Sequence, residues 1–271
     1  MARIKTWEEL TIQDNFLFQK VMQNKRICKH LIEKILKIKI KDITYPDNEK
    51  TIDIRLDSKS VRLDVYVEDE KGTVYDIEMQ CTSGTDGELA KRTRYYQGMI
   101  DMDLLGKGKT KTYDQLNPTY IIFICTFDLF GKGFPMYTFR SLCVEDTELA
   151  LGDQSTKLFL NSTSTATDID PDITAFLHYV NENAVTGKFV ESVAKEVARI
   201  KRHEETRREY MKLSMALEKK RQEGFQEGSQ KMQITVALDM LKDNIPKEKI
   251  VKYSKLPLDV VDELAKKHNL I

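Results

Sequence analysis

The sequence predicts an α/β core followed by a charged helical extension, and three observations predict it. Residues 61 to 81 alternate apolar and polar around Glu70-Lys71-Gly72, the pattern of a β-hairpin with a glycine-bearing loop. Residues 120 to 125 are all apolar, as in a central strand buried on both faces. Helical spacing flanks these strands on both sides, and strands framed by helices imply layered α/β architecture. The expected division is an α/β domain over residues 1–188 and a helical extension over 189–271.

The elements follow in order. Residues 7 to 24 carry Phe16, Leu17 and Val21 at helical spacing, with Asp14 in the first half. Residues 26 to 38 place Ile27, Leu31, Ile32 and Ile35 on one face of a second helix. Ile43, Ile52 and Ile54 suggest a short or broken strand around a Pro46-Asp47-Asn48 turn. After the hairpin, residues 86 to 105 form a long helix with Leu89, Tyr96, Ile100 and Leu104 inward. A Gly/Lys loop follows over residues 106 to 112; it lacks the spacing of a phosphate-binding P-loop and reads as an exposed turn. Strands are expected at 120–127, 136–144 and 157–160.

Residues 190 to 232 are charged, helical and free of proline, but no heptad is sustained. Pro246 and Pro257 break the remainder into two or three short helices. These suit a helix-turn-helix reader or, as the expectation, a helical hairpin packed on itself. The extension is also expected to serve oligomerisation, as a homodimer or higher assembly, or autoinhibition.

Composition narrows the function. No apolar run approaches the ~20 residues a membrane helix needs. The start, Met1-Ala2-Arg3-Ile4-Lys5, lacks the apolar stretch of a signal peptide, so a cytoplasmic protein with no membrane partner is expected. Cys28, Cys81, Cys125 and Cys143 are scattered, as are the four histidines, so neither a zinc site nor a disulfide framework is expected. Buried free thiols are expected instead.

Lys+Arg and Asp+Glu balance at 43 each, yet the charge is segregated. Residues 1–41 hold ten basic against four acidic side chains, and residues 42–90 hold five against thirteen. Residues 91–115 hold six against three. An acidic patch between basic stretches suits a cation held by carboxylates beside a phosphate backbone; a solvated surface would look the same.

The hairpin carries the chemistry. With a three-residue loop, Asp69 pairs with Thr73, Asp64 falls opposite Glu78, and Arg62 opposite Gln80. Asp64, Glu78 and Gln80 then share a face, while Leu63, Val65, Ile77 and Met79 form an apolar one. Directly opposed carboxylates are destabilising without an intervening charge. A metal ion, a proton or an ion pair with Arg62 each meets that need.

Arg62-Leu63-Asp64, a spacer closing in Gly72, and Asp76-Ile77-Glu78-Met79-Gln80 together resemble the PD-(D/E)XK nuclease superfamily. More closely, the chain is similar to the Rpn family of recombination-promoting nucleases, also described as PD-(D/E)XK family transposases. The stretch from Leu10 to Met22 resembles that family's N-terminal helix motif, and Arg92-Thr93-Arg94-Tyr95-Tyr96-Gln97 its Arg/Tyr helix. The strand at 120–127 and the Glu-Gly tail are also similar, so the resemblance spans about residues 8 to 230. It implies a restriction-endonuclease-like core and a Mg²⁺-dependent DNA endonuclease, with Mn²⁺ as a substitute ion. It further implies a role in recombination or mobile DNA, and cleavage leaving 5′-phosphates.

By this resemblance Asp64 and Glu78 are the metal ligands, and Gln80 stands at the superfamily's lysine position. Asp14 is a further catalytic carboxylate from the first helix. Glutamine orients a water but neutralises no charge, so a nearby arginine, Arg62 or Arg94, has to compensate. Tyr95 is a candidate DNA contact beside these arginines, whereas Tyr96 is expected in the core. The alternative function is a non-catalytic nucleic-acid-binding or regulatory protein that keeps the nuclease fold.

Overall fold

The hairpin forms in the register that its loop dictates. In a computed structural model, which describes residues 3–46, 51–52, 61–84, 87–106 and 112–270, strand β4 (Val65–Asp69) pairs antiparallel with β5 (Val74–Gln80). Val65 lies opposite Ile77 and Glu68 opposite Val74. The Asp69 carboxylate pins the loop by accepting the Lys71 and Thr73 N–H groups, each at 2.9 Å. Gly72 takes a φ of +81°, which costs glycine nothing and any other residue a steric clash.

The sheet has six strands in the order β1-β4-β5-β6-β8-β7. They are completed by β1 (Ile43–Thr44), β6 (Thr119–Cys125), β7 (Met136–Phe139) and β8 (Ser155–Asn161). The central β5, β6 and β8 run parallel, with antiparallel strands at both edges. Residues 121 to 125 are buried throughout, as the apolar run requires. A separate two-stranded piece joins β2 (Thr51–Ile52) to β3 (Val61–Arg62), antiparallel.

This pairing corrects one expectation. Arg62 lies opposite Thr51 and not opposite Gln80. The chain bends at Asp64, so the β4 ladder starts only at Val65 and the alternation is reset there. Leu63 therefore packs with Tyr66, Val74 and Tyr96 on the Glu78 face of the sheet. That face is also buried, under α3 (Glu88–Gly106), so the hairpin has no solvated side. Ile54, the Asp47-Asn48 turn and residues 107–111 lie outside the described residues.

Four helices pack on one another: α1 (Asn15–Met22), α2 (Lys25–Leu36), α4 (Pro171–Glu182) and α5 (Gly187–Lys201). Residues 7 to 14 form turns before α1, so the first helix is shorter than its periodicity suggests. Helix α4 was not expected, although Asp170-Pro171-Asp172 is a start signal: Asp170 caps the Asp172 N–H and Pro171 opens the first turn. The strand at 136 ends at Phe139 rather than 144.

The chain divides into two compact units, Thr6–Arg207 and Arg208–Ile271 with Met1–Lys5. The boundary expected after residue 188 falls inside α5, which belongs with the sheet-bearing unit. Its C-terminal end is tied to the N-terminal segment. The Trp7 indole donates to the Lys201 carbonyl at 3.1 Å, and Lys201 Nζ donates to the Glu8 and Leu10 carbonyls.

The second unit holds most of α6 (Glu204–Lys242), with α7 (Lys247–Ser254) and α8 (Leu258–Lys267). Ala237 and Leu241 of α6, Ile250 of α7, and Val261 and Ala265 of α8 form its small core. Among the described residues no helix is long and apolar enough to cross a membrane. All four cysteines are free, but Cys81 is exposed and Cys143 only half-buried, so only Cys28 and Cys125 meet the expectation of burial.

An ionic cluster joins α2 to α4. His30 Nε2 lies 2.9 Å from the Asp172 carboxylate, and Lys34 Nζ lies 3.4 Å from it. Burial works to raise the Asp172 carboxyl, but the bonds from His30 and Lys34 outweigh it and leave it below its ordinary 3.8. A depressed folded-state value contributes stability above the unfolded value, and that contribution is lost as pH falls through the folded one. The urea midpoint of Asp172→Asn should therefore lie below that of the native chain at pH 6, and the two should converge below pH ~4. Parallel pH curves would exclude this linkage.

Candidate active site

Glu78 is the centre of the site. It sits on β5 facing α3 and is 2% exposed, so its carboxylate needs partners inside the fold. Its Oε1 accepts the Asp64 N–H at 2.8 Å, and its Oε2 accepts from Arg92 Nη2 at 2.9 Å. Asp64 answers in kind, its Oδ2 accepting the Met79 N–H at 3.2 Å. The two acids are held across the hairpin by backbone amides, the Asp64 N–H on Glu78 and the Met79 N–H on Asp64, which eases the repulsion of opposed acids.

Asp64 is steered from the first helix. Its Oδ1 accepts from Gln19 Nε2 at 2.9 Å and from Asn15 Nδ2 at 3.4 Å. Asn15 and Gln19 stand one helical turn apart on α1, so both reach the same acceptor. Asp14, the carboxylate expected from this helix, accepts from the Thr11 N–H at 2.7 Å and closes the turn before α1. The helix does reach Asp64, by amides one and five residues further along.

The positive charge comes from Arg92 on α3. Besides Glu78, it donates from Nη1 to Gln80 Oε1 at 3.1 Å and from Nε to Tyr96 Oη at 2.8 Å. Its guanidinium carbon stands 5.1 Å from the Tyr96 ring centre and 5.2 Å from that of Phe123. Arg94 and Tyr95, the residues singled out from the sequence, are both exposed on this helix. Arg92 was legible: it is three residues after Leu89 and four before Tyr96, a charge on an otherwise apolar inward stripe.

Asp76 was also passed over. It shares the Glu78 face, is fully buried, and neither of its carboxyl oxygens has a hydrogen-bond partner among the described residues. Burial, then the charges of Glu78 and Asp64, push Asp76 well above its ordinary 3.8. Burial and the Asp64 charge push Glu78 up to about 7, against the lowering effect of the Asp64 N–H and Arg92. Among the described residues, three acids thus crowd Arg92. Among the described residues, no group of three or more His, Cys, Asp or Glu side chains is arranged to hold a metal ion.

A family model described as PD-(D/E)XK nuclease family transposase matches residues 15–161, more than half of the chain. The chain belongs to this family. The match in the PD-(D/E)XK transposase family runs from Asn15 through the whole six-stranded sheet, so it contains Asp64, Asp76, Glu78, Gln80 and Arg92. The family carries the restriction-endonuclease-like fold expected above, here with a helical C-terminal region. It also ties the chain to nuclease chemistry and mobile DNA. No curated relative and no solved structure matches the chain.

The Glu78–Arg92 pair makes a stability prediction. Removing one member of a buried pair strands the other, at ~3–5 kcal/mol. Arg92→Ala should lose stability on that scale, and Glu78→Gln in the same chain should restore most of it. Urea unfolding of the native chain, both single variants and the double variant measures the coupling. Additive losses would show that the pair is not coupled.

Proposed function

We propose that this PD-(D/E)XK transposase-family chain is a Mg²⁺-dependent DNA endonuclease that hydrolyses phosphodiester bonds in recombination or in the movement of mobile DNA. The observation that carries it is the interlocked pair of Asp64 and Glu78, crowded by buried Asp76.

The donors fit a hard divalent cation. Mg²⁺ takes oxygen ligands, commonly one or two carboxylates, and keeps waters and substrate phosphates in its other positions. Asp64 and Glu78 supply the two carboxylates, and a cation there would relieve the excess negative charge beside buried Asp76. Such an ion lowers the pKa of a water and stabilises charge on a phosphate under attack. Gln19 and Asn15 hold Asp64 in place, while Arg92 and the Asp64 N–H hold Glu78. Arg94 and Tyr95, exposed on α3, would meet a backbone passing over that helix.

The test is cleavage of plasmid and branched DNA with Mg²⁺ or Mn²⁺. The native chain should cut, a chelator should stop it, and Asp64→Ala and Glu78→Ala should each lower the rate by at least ~10²–10³-fold while remaining folded. Cutting by both variants at the native rate would place the chemistry elsewhere. A native chain that binds DNA without cutting it would favour the binding or regulatory alternative.

A further inference from the structure

At the lysine position of the motif stands Gln80, and its amide is committed at both ends. Nε2 donates to the Thr82 carbonyl at 2.6 Å, and Oε1 accepts from Arg92 at 3.1 Å. An amide so engaged holds the arginine rather than a water. Arg92 is further fixed by Glu78 and by Tyr96, and the Tyr96 and Phe123 rings lie against it.

A guanidinium carries five N–H groups in a rigid fork. The bonds to Tyr96, Gln80 and Glu78 use one on each nitrogen. One N–H on each terminal nitrogen is left over among the described residues, and the side chain keeps 32% exposure although its partner Glu78 has 2%. The group is thus a charge mounted on three bonds, still accessible and with donors to spare. Arg94, two residues on, is exposed and among the described residues has no such mount.

We propose that Arg92 is the catalytic cation of this site, donating to the scissile phosphate and stabilising the charge that gathers on its oxygens as water adds. Gln80 is a positioning residue that fixes Arg92. Charge that the superfamily motif places on the strand is here supplied from helix α3. A preorganised donor needs no rearrangement when the charge develops, which is where such groups gain most of their effect. The inference rests on the nuclease reading above.

The experiment is DNA cleavage over a range of substrate concentrations up to saturation by the native chain, Arg92→Gln, and Arg92→Gln combined with Gln80→Lys, with folding checked by thermal melts. Arg92→Gln should cut ~10²–10³-fold more slowly with KM changed little, and Gln80→Lys should recover at least ~10-fold by returning the charge to the strand. If Arg92→Gln does not fold, the double variant carries the test, since its lysine still neutralises Glu78. It should then cut within ~10-fold of the native rate. A folded Arg92→Gln that cuts at the native rate overturns the proposal, as does a folded double variant that fails to recover. A native chain that cuts no DNA overturns the nuclease reading and this inference with it. A native chain that cuts while the Arg92 variants are unaffected removes only this inference.

Discussion

A carboxylate buried between a sheet and a helix is the constraint on which the rest of this structure depends. Glu78 cannot keep its charge at 2% exposure without donors, and among the described residues these are the Asp64 N–H and Arg92, which come from elsewhere in the fold. One is the Asp64 amide, which requires the hairpin in its observed register. The other is Arg92, which requires α3 to lie over β5 with its Leu89, Arg92 and Tyr96 face inward. Slippage of the hairpin by one residue would turn Glu78 into the opposite layer and strand Arg92 under α3.

Stability and chemistry pull against each other here. Asp64, Asp76 and Glu78 bring three acids around Arg92, and Asp76 has no hydrogen-bond partner of its own among the described residues. An apolar side chain in place of Asp76 would suit the surrounding core of Tyr66, Val74 and Ile121 better. Unsatisfied buried acid of this kind is costly, and sites that bind cations or phosphates are where such cost is kept. The proposed nuclease reading would give that cost a purpose.

Among the described residues, the side chains that bond to Asp64, Glu78 and Arg92 lie between Asn15 and Tyr96, and the Phe123 ring backs Arg92, all within the unit Thr6–Arg207. The tying of α5 to the N-terminal segment through Trp7 and Lys201 explains why this unit reaches so far beyond the last strand. The unit Arg208–Ile271 has its own small core around Ala237, Ile250 and Val261.

Local pattern by itself determined the α/β class, the central strand, the hairpin register and hence the meeting of Asp64 with Glu78. Each of these follows from two-residue alternation and the geometry of a three-residue loop, which are properties of short stretches. Tertiary structure decided what surrounds the pair. The bend at Asp64 sends Arg62 to Thr51, and alternation along the chain carries no sign of it. Gln19 and Asn15 reach Asp64 only because α1 is packed beside the hairpin. Arg92 rather than Arg94 meets Glu78 because the rotation of α3 is set by Leu89, Tyr96 and Ile100 entering the core, and a charge on that buried stripe must follow them in. Periodicity states which residues share a face; only packing states what that face meets.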